Sequence, residues 1–153
     1  MAGKEPVSGK ASRERAADDE SACVLIVSDE DRVRQMLSMM VAEEGERPVL
    51  EDWRTLDLTR IIEGRFRMVV LDWGSAPTLA ARLADIVRYS HSGTPIAVLV
   101  PCWSDLEVGA RRAADFLINK PLRVTQIRRV LALACGPQSR AADRAPQIPA
   151  GAA

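Results

Sequence analysis

The sequence predicts an α/β protein with a doubly wound, five-stranded parallel sheet that carries helices on both faces. Short apolar runs of β-favouring residues recur along the chain, and segments of helical period separate them. The alternation of strand and helix repeats five times. Because consecutive strands joined by a helix connect through right-handed crossovers, this order favours a parallel sheet covered on both sides.

Five segments have the composition of strands. The first, ACVLIVS at 22–28, is almost continuously apolar, as expected for a strand buried on both faces of a parallel sheet. The second, RPVLE at 47–51, is weaker and suits an edge strand. The others are MVVLD at 68–72, PIAVLV at 95–100 and DFLIN at 115–119.

A helical segment follows each predicted strand, and four of these segments have one apolar face. The apolar positions are Val33, Met36, Leu37, Met40 and Val41; then Leu58, Ile61 and Ile62; then Leu79, Leu83, Ile86 and Val87; and finally Val124, Ile127, Val130, Leu131 and Ala134. Glycines at 45, 64, 93 and 136 end these patterns. The remaining helix is predicted from the Ser-Asp-Leu-Glu sequence that starts at Ser104, since Ser and Glu at this spacing form a capping box.

Length and composition favour one folded domain of the cytoplasm. The chain has 153 residues, of which 47% are hydrophobic, and its 21 basic residues equal its 21 acidic residues. This balance gives no overall attraction to nucleic acid or to an anionic membrane, and no apolar run is long enough to cross a membrane. The polar composition of residues 1–20 predicts a disordered leader, residues 137–153 a disordered tail, and residues 22–136 the folded domain.

Charged side chains follow three of the predicted strands. Asp29 and Glu30 follow the first strand, Asp72 closes the third, and Lys120 follows the fifth. Binding sites of open α/β sheets lie at this carboxyl edge. Mg²⁺ needs only one or two carboxylates besides a phosphate oxygen, so Asp29, Asp72 and a carbonyl just after Asp72 suit it. Lys120 would neutralise charge on a transferred phosphoryl group.

Helix capping is the alternative interpretation of these acidic residues. Asp29 and Glu30 stand where an acid commonly caps the next helix and interacts with its dipole. Asp72 is different, because it closes a strongly apolar strand where a charge without a role is unfavourable. The set of acids together with Lys120 therefore favours a phosphoryl-transfer site over capping alone.

The motifs, taken in order, resemble the response-regulator receiver family. VLIVSDEDRVRQML is similar to the first strand and acidic turn of that family, and MVVLDWG to its phosphoacceptor strand. TPIAVLV is similar to its fourth strand and DFLINKPL to its lysine-proline strand. The match spans about residues 22–135 and implies the (βα)5 flavodoxin-like receiver fold.

The resemblance also implies roles for individual residues. It identifies Asp72 as the phosphoacceptor and Lys120 as the residue that contacts the phosphoryl group. It implies that Asp29, Asp72 and the carbonyl of Gly74 bind Mg²⁺, and that the bond between Lys120 and Pro121 is cis. Family members take their phosphoryl group from a histidine kinase or a histidine phosphotransfer protein, and they use the face of the last two helices for output or for a homodimer.

Several positions depart from the family pattern, and three of them bear on the metal site and on switching. Ser28 replaces the first residue of the acidic pair, so the contact to the metal is weakened unless Glu30 or Asp31 substitutes. Val100 stands where the family has a hydroxyl residue, and it cannot donate a hydrogen bond to the phosphoryl group. Leu117 stands where the family has an aromatic switch residue. The sequence therefore indicates an atypical receiver.

Two functions follow from this pattern. The first is a single-domain response regulator of two-component phosphorelay signalling that accepts a phosphoryl group on Asp72. The alternative is a pseudo-receiver that binds other proteins independently of phosphorylation. An enzyme such as an aspartate-dependent phosphohydrolase is disfavoured, because Gly74 occupies the place of the second acid that would transfer a proton.

Overall fold

The computed structural model describes residues 23–74, 76–101 and 107–136. The predicted leader at 1–20 and the predicted tail at 137–153 lie outside the described residues, and so does the capping box at 104. In chain order the elements are β1 Cys23–Val27, α1 Asp31–Glu43, β2 Arg47–Glu51, α2 Leu58–Glu63, β3 Met68–Asp72, α3 Pro77–Ser90, β4 Ile96–Val100, α4 Glu107–Ala113, β5 Phe116–Asn119 and α5 Val124–Cys135. Within the described part of the chain, none of the helices has the length and apolar character that crossing a membrane requires.

The five strands form one parallel sheet in the order β2-β1-β3-β4-β5. This arrangement confirms the predicted doubly wound α/β fold. The chain runs from β1 outward to β2 and then returns to β3 on the other side of β1, so the switch in strand order lies between β1 and β3. Ligand sites in this class of fold lie at the carboxyl end of that switch.

The sheet is covered by a hydrophobic cluster on each face. One cluster joins the sheet to α1 and α5, and the other joins it to α2, α3 and α4. The residues of β1, β3 and β4 are buried throughout, whereas β2 at the edge is only partly buried. Burial on both faces explains why the central strands are continuously apolar in the sequence.

Some helices bury a different set of residues from the one that their apolar patterns predict. In α2, which has only six residues, Ile61 is buried, while Leu58 and Ile62 are 44% and 48% exposed. In α3 the buried residues include Ala80 and Ala84, and the predicted core residue Leu79 is 45% exposed. Small side chains let α3 lie close to the sheet, so its buried face is displaced from the one that the large residues indicate.

Two of the glycines that follow helices have the left-handed backbone that glycine adopts readily. Gly45 has φ +79° after α1, and Gly93 has φ +94° after α3. A side chain at either position would strain the backbone. These turns lead the chain into the amino ends of β2 and β4. The charged residues lie at the opposite edge of the sheet, where the strands have their carboxyl ends.

Candidate functional site

Strand register brings the predicted charged residues to one edge of the sheet. Near this edge, the residues paired on neighbouring strands are Val27 with Leu71, Asp72 with Leu99, and Val100 with Asn119. The residues that follow β1 and β5 therefore lie beside the end of β3. The structure brings together Ser28, Glu30, Asp72 and Lys120.

The Asp72 carboxylate is fully buried, and its two oxygens have different surroundings. Oδ2 accepts a hydrogen bond of 2.8 Å from the Ser28 hydroxyl and one of 3.0 Å from the Lys120 ammonium. Oδ1 is also buried, and no described residue donates a hydrogen bond to it. Because buried carboxylate oxygens are normally paired, Oδ1 is the atom of this site that can accept a ligand or form a bond.

Lys120 lies between two carboxylates. Its Nζ is 2.8 Å from Glu30 Oε1 and 3.0 Å from Asp72 Oδ2. Burial lowers the pKa of Lys120, but its hydrogen bonds to Glu30 and Asp72 outweigh that effect and hold the pKa above its usual value. The side chain therefore stays a cation. The Lys120 amide donates to the Val100 carbonyl, and the bond to Pro121 is cis, as the resemblance implies.

Ser28 is buried and links the end of β1 to the end of β3. Its hydroxyl donates to Asp72 Oδ2 and accepts a hydrogen bond of 3.1 Å from the Glu30 amide. A hydroxyl at this position supplies a donor where an acid would add a second negative charge. Ser28 therefore helps to compensate the buried charge of Asp72 instead of increasing it.

Glu30 does not cap the helix that follows it, contrary to the capping interpretation. It occupies the N-cap position of α1, but its side chain makes no capping hydrogen bond. Its carboxylate instead pairs with Lys120. Asp29, the preceding residue, is half-buried at the same end of β1.

The loop between β2 and α2 also contacts Asp72, which the sequence patterns did not predict. Trp53 in this loop is buried, and its Nε1 donates a hydrogen bond of 3.0 Å to the main-chain carbonyl of Asp72. The neighbouring Asp52 is held by Arg54, 2.6 Å away, and by Arg34 of α1, 3.4 Å away. The hydrogen bonds from Arg54 and the charge of Arg34 lower the pKa of Asp52. The feature of the sequence that could have indicated this contact was a single tryptophan among charged residues in a turn.

The two altered switch positions are apolar and packed. Val100 is fully buried at the end of β4, and Leu117 is half-buried against the cluster that contains α3 and α4. Neither side chain can donate a hydrogen bond. A phosphoryl group on Asp72 would therefore find no hydroxyl at Val100 and no aromatic switch residue at Leu117.

The carboxyl edge of the sheet holds oxygen donors of the kind that Mg²⁺ prefers. Among residues 23–74, 76–101 and 107–136 there is no cluster of three or more acidic, histidine or cysteine side chains that would bind a metal unaided. The Asp72 carboxylate is nevertheless a suitable oxygen donor, since one of its two oxygens has no hydrogen-bond donor among the described residues. Asp29 and the Gly74 carbonyl are further donors nearby in the chain. Mg²⁺ commonly keeps several waters and binds only one or two carboxylates, so this donor set is sufficient.

An open cleft lies beside Lys120 at the carboxyl edge. Its volume is about 550 Å³, and its lining residues are Asn119, Lys120, Pro121, Arg123, Thr125, Gln126 and Arg129. Three of these residues are basic and none is acidic. The cleft therefore presents a positive surface next to the buried carboxylate.

Comparisons with known proteins identify the fold. No protein-family model matches the chain, and no curated protein matches it. Solved structures do match. NtrX from Brucella abortus is 24% identical with a TM-score of 0.67, and the match covers 81% of this chain but only 28% of NtrX.

Isolated receiver domains match over nearly their whole length. CheY4 of Vibrio cholerae, a chemotaxis response regulator, is 23% identical with a TM-score of 0.62, over 74% of this chain and 98% of CheY4. The NtrC4 receiver domain is 24% identical with a TM-score of 0.61, over 76% of this chain and 97% of NtrC4. These likenesses show that the described domain has the receiver fold.

Proposed function

We propose that this receiver-fold domain is a phosphoacceptor of two-component signal transduction, and that Asp72 is the residue that takes the phosphoryl group. The observation that carries the proposal is the unequal environment of the Asp72 carboxylate. Oδ2 is held by Ser28 and Lys120, while the buried Oδ1 has no hydrogen-bond donor among the described residues. A carboxylate fixed through one oxygen presents the other oxygen to an incoming electrophile in one orientation.

The proposed step transfers a phosphoryl group from a phosphohistidine. A bond forms between Asp72 Oδ1 and phosphorus, and the phosphorus–nitrogen bond breaks with its electron pair going to the imidazole. Lys120 and the Ser28 hydroxyl keep the carboxylate in place and offset negative charge as the donor approaches. Mg²⁺, when bound by Asp29, Asp72 and the Gly74 carbonyl, supplies further neutralisation of charge.

The partners that fit this role are a histidine kinase or a histidine phosphotransfer protein. The basic cleft beside Lys120 suits a surface that presents a phosphorylated side chain, because Arg123 and Arg129 add positive charge next to the site. We place this activity in the cytoplasm. In this proposal the protein is not an enzyme, and neither nucleic acid nor a membrane is a partner.

A homodimer through α4 and α5 is also part of the proposal. The NtrC4 receiver was solved as a beryllofluoride-activated dimer. In this chain α4 carries Arg111 and Arg112, and α5 carries exposed Val124 and Leu133. The measurement is the molar mass in solution with and without beryllofluoride. A mass of one chain under both conditions would contradict the dimer.

Tryptophan fluorescence tests the phosphoacceptor function. The protein is titrated with Mg²⁺ and then with beryllofluoride, which mimics a phosphoryl group on a carboxylate. We expect a change at each step in the wild type, because Trp53 and Trp73 both adjoin Asp72. We expect no response to beryllofluoride in Asp72→Ala. Equal responses of the wild type and Asp72→Ala would refute the assignment.

The second candidate is a pseudo-receiver that binds a partner without phosphorylation. The observation that favours it is the pair of packed apolar side chains at Val100 and Leu117, which cannot relay a change at Asp72 by hydrogen bonds. A wild-type protein that responds to Mg²⁺ but not to beryllofluoride, or that responds to neither, would support this candidate over the phosphoacceptor.

A further inference from the structure

Asp72 is held through its main chain as well as through its side chain. The Asp72 carbonyl accepts the indole N–H of Trp53 at 3.0 Å, and the next amide, Trp73 N–H, donates to the Leu99 carbonyl at 2.8 Å. The peptide group between Asp72 and Trp73 is therefore bonded on both edges. This peptide determines where the Asp72 side chain leaves the strand and where the following loop begins.

The Trp53 contact completes a ring of interactions around Asp72. The Ser28 hydroxyl binds the Asp72 carboxylate, and the Ser28 carbonyl accepts a hydrogen bond from Arg34. Arg34 pairs with Asp52 at 3.4 Å, and Asp52 precedes Trp53 in the chain. The ring returns to Asp72 through the Trp53 indole. Two loops from different strands thus hold the same residue, and one arginine joins them.

Trp53 is well suited to hold this position. It is 6% exposed although it lies in a charged loop, and it packs in the cluster that also contains Leu71 and Trp73. An indole that is fixed by packing loses little further freedom when its N–H binds a carbonyl. Phenylalanine could occupy this place in the cluster but has no N–H to donate, so the hydrogen bond is what the Trp53 indole adds to its packing.

We propose that Trp53 is a positioning residue for Asp72, which it orients through the main-chain carbonyl. The proposal rests on the phosphoacceptor function proposed above and adds a residue to it. Trp53 does not touch the phosphoryl group. It limits rotation of the peptide after Asp72, so that Oδ1 stays in the orientation in which it can attack phosphorus.

The test compares Trp53→Phe with Trp73→Phe. Both variants remove an indole from the same cluster, but the Trp73 indole makes no hydrogen bond to another described residue. The measurement is the rate of phosphorylation by acetyl phosphate in Mg²⁺ as a function of donor concentration. For Trp53→Phe we expect the maximal rate to fall about two- to twelvefold, the range set by one hydrogen bond, with an unchanged half-saturating concentration. For Trp73→Phe we expect a change of less than about twofold, because it loses packing but no such hydrogen bond.

A maximal rate in Trp53→Phe equal to that of the wild type would overturn the proposal, and so would an equal fall in both variants. Circular dichroism establishes that each variant is folded at the temperature of the assay. A loss of stability without a loss of rate assigns Trp53 a structural role only and also overturns the proposal.

A second measurement uses the wild type alone and does not depend on phosphorylation. The exchange of indole N–H protons with solvent is followed by nuclear magnetic resonance. Both tryptophans are buried, so we expect the Trp53 indole to exchange more slowly than the Trp73 indole because its N–H is also hydrogen-bonded to the Asp72 carbonyl. Faster or equal exchange at Trp53 would refute the hydrogen bond. If the wild type takes up no phosphoryl group but Trp53 is protected, the phosphoacceptor function fails while the contact stands.

Discussion

Substitution of Ser28 by alanine isolates the compensation of the buried Asp72 charge. The Ser28 hydroxyl donates to Asp72 Oδ2 at 2.8 Å, and both residues are fully buried. Alanine removes the donor and introduces no new polar group. Asp72 then retains only Lys120 as a described hydrogen-bond donor to its carboxylate. The folded state should lose stability because a buried charge has lost one of its two donors.

The size of this loss follows from the two hydrogen bonds that the Ser28 hydroxyl makes. A hydrogen bond to a charged group contributes about 1.5–3 kcal/mol to the free energy of unfolding. The Glu30 amide also loses its acceptor, the Ser28 hydroxyl, but it is only part-buried and water can replace that contact. We therefore expect Ser28→Ala to lower the free energy of unfolding by about 2–3 kcal/mol at neutral pH.

Urea denaturation in two backgrounds separates the charge effect from the rest. Ser28→Ala is made in the wild type and in Asp72→Ala, where the carboxylate is absent. We expect the loss to fall below about 1 kcal/mol in the second background, because only the part-buried contact to the Glu30 amide remains and water can replace it. The difference between the two losses is the coupling of Ser28 to Asp72. Equal losses in both backgrounds would show that the hydroxyl does not stabilise the buried charge.

Three further predictions concern neighbouring groups. Val100→Thr places a hydroxyl in a fully buried position, so urea denaturation should show that the free energy of unfolding falls by about 1–3 kcal/mol. Fluorescence titration should show tighter binding of beryllofluoride to this variant. Unchanged affinity for beryllofluoride would contradict a role for this position. Gly74→Ala places a methyl group 2.8 Å from Pro101 Cγ. Because of this clash, thermal unfolding should show that the free energy of unfolding falls by about 1–3 kcal/mol. A variant as stable as the wild type would disprove the close contact. The pKa of Lys120 is raised in the folded state. The contribution of Lys120 to stability is therefore complete below its pKa in the unfolded chain, about 10.4, and is lost as the pH rises through its higher pKa in the folded state. Stability of the wild type relative to Lys120→Met, measured from neutral pH upward, should therefore stay constant until the pH passes about 10.4, and an earlier decline would be inconsistent with the ion pairs to Glu30 and Asp72.

The fold was predictable because the apolar composition of its central strands follows directly from their burial. β1, β3 and β4 are apolar at nearly every position, and each is buried on both faces in the structure. The weaker composition of 47–51 correctly indicated the edge strand β2. Once strands and helices alternate in a parallel sheet, Asp72 and Lys120 must lie at the same edge, so their proximity was also predictable.

The finer arrangement of the helices was less predictable, because apolar residues can lie at the margin of a buried face. Leu58, Leu79 and Val124 fit helical spacing but are more than two-fifths exposed. The alanines at 80 and 84 are buried instead, since a small side chain allows close packing of a helix on the sheet. Spacing alone does not distinguish a large residue at the margin from a small one at the centre.

The contacts around Asp72 depend on side-chain geometry that sequence patterns do not contain. Glu30 had been considered a cap or a metal ligand, yet its carboxylate is paired with Lys120 across a large separation in the chain. Arg34 and Trp53 were not singled out, because their partners lie in other loops. Such contacts follow from how loops converge, and the order of strands gives only their common edge.

Intact-mass spectrometry after incubation with acetyl phosphate and Mg²⁺ tests the central claim most directly. We predict that the wild type gains the mass of one phosphoryl group, that the adduct is lost under the alkaline conditions that hydrolyse acyl phosphates, and that Asp72→Asn gains none. An adduct of equal yield on Asp72→Asn would contradict the identification of Asp72 as the phosphoacceptor, and so would a wild type that gains no phosphoryl mass.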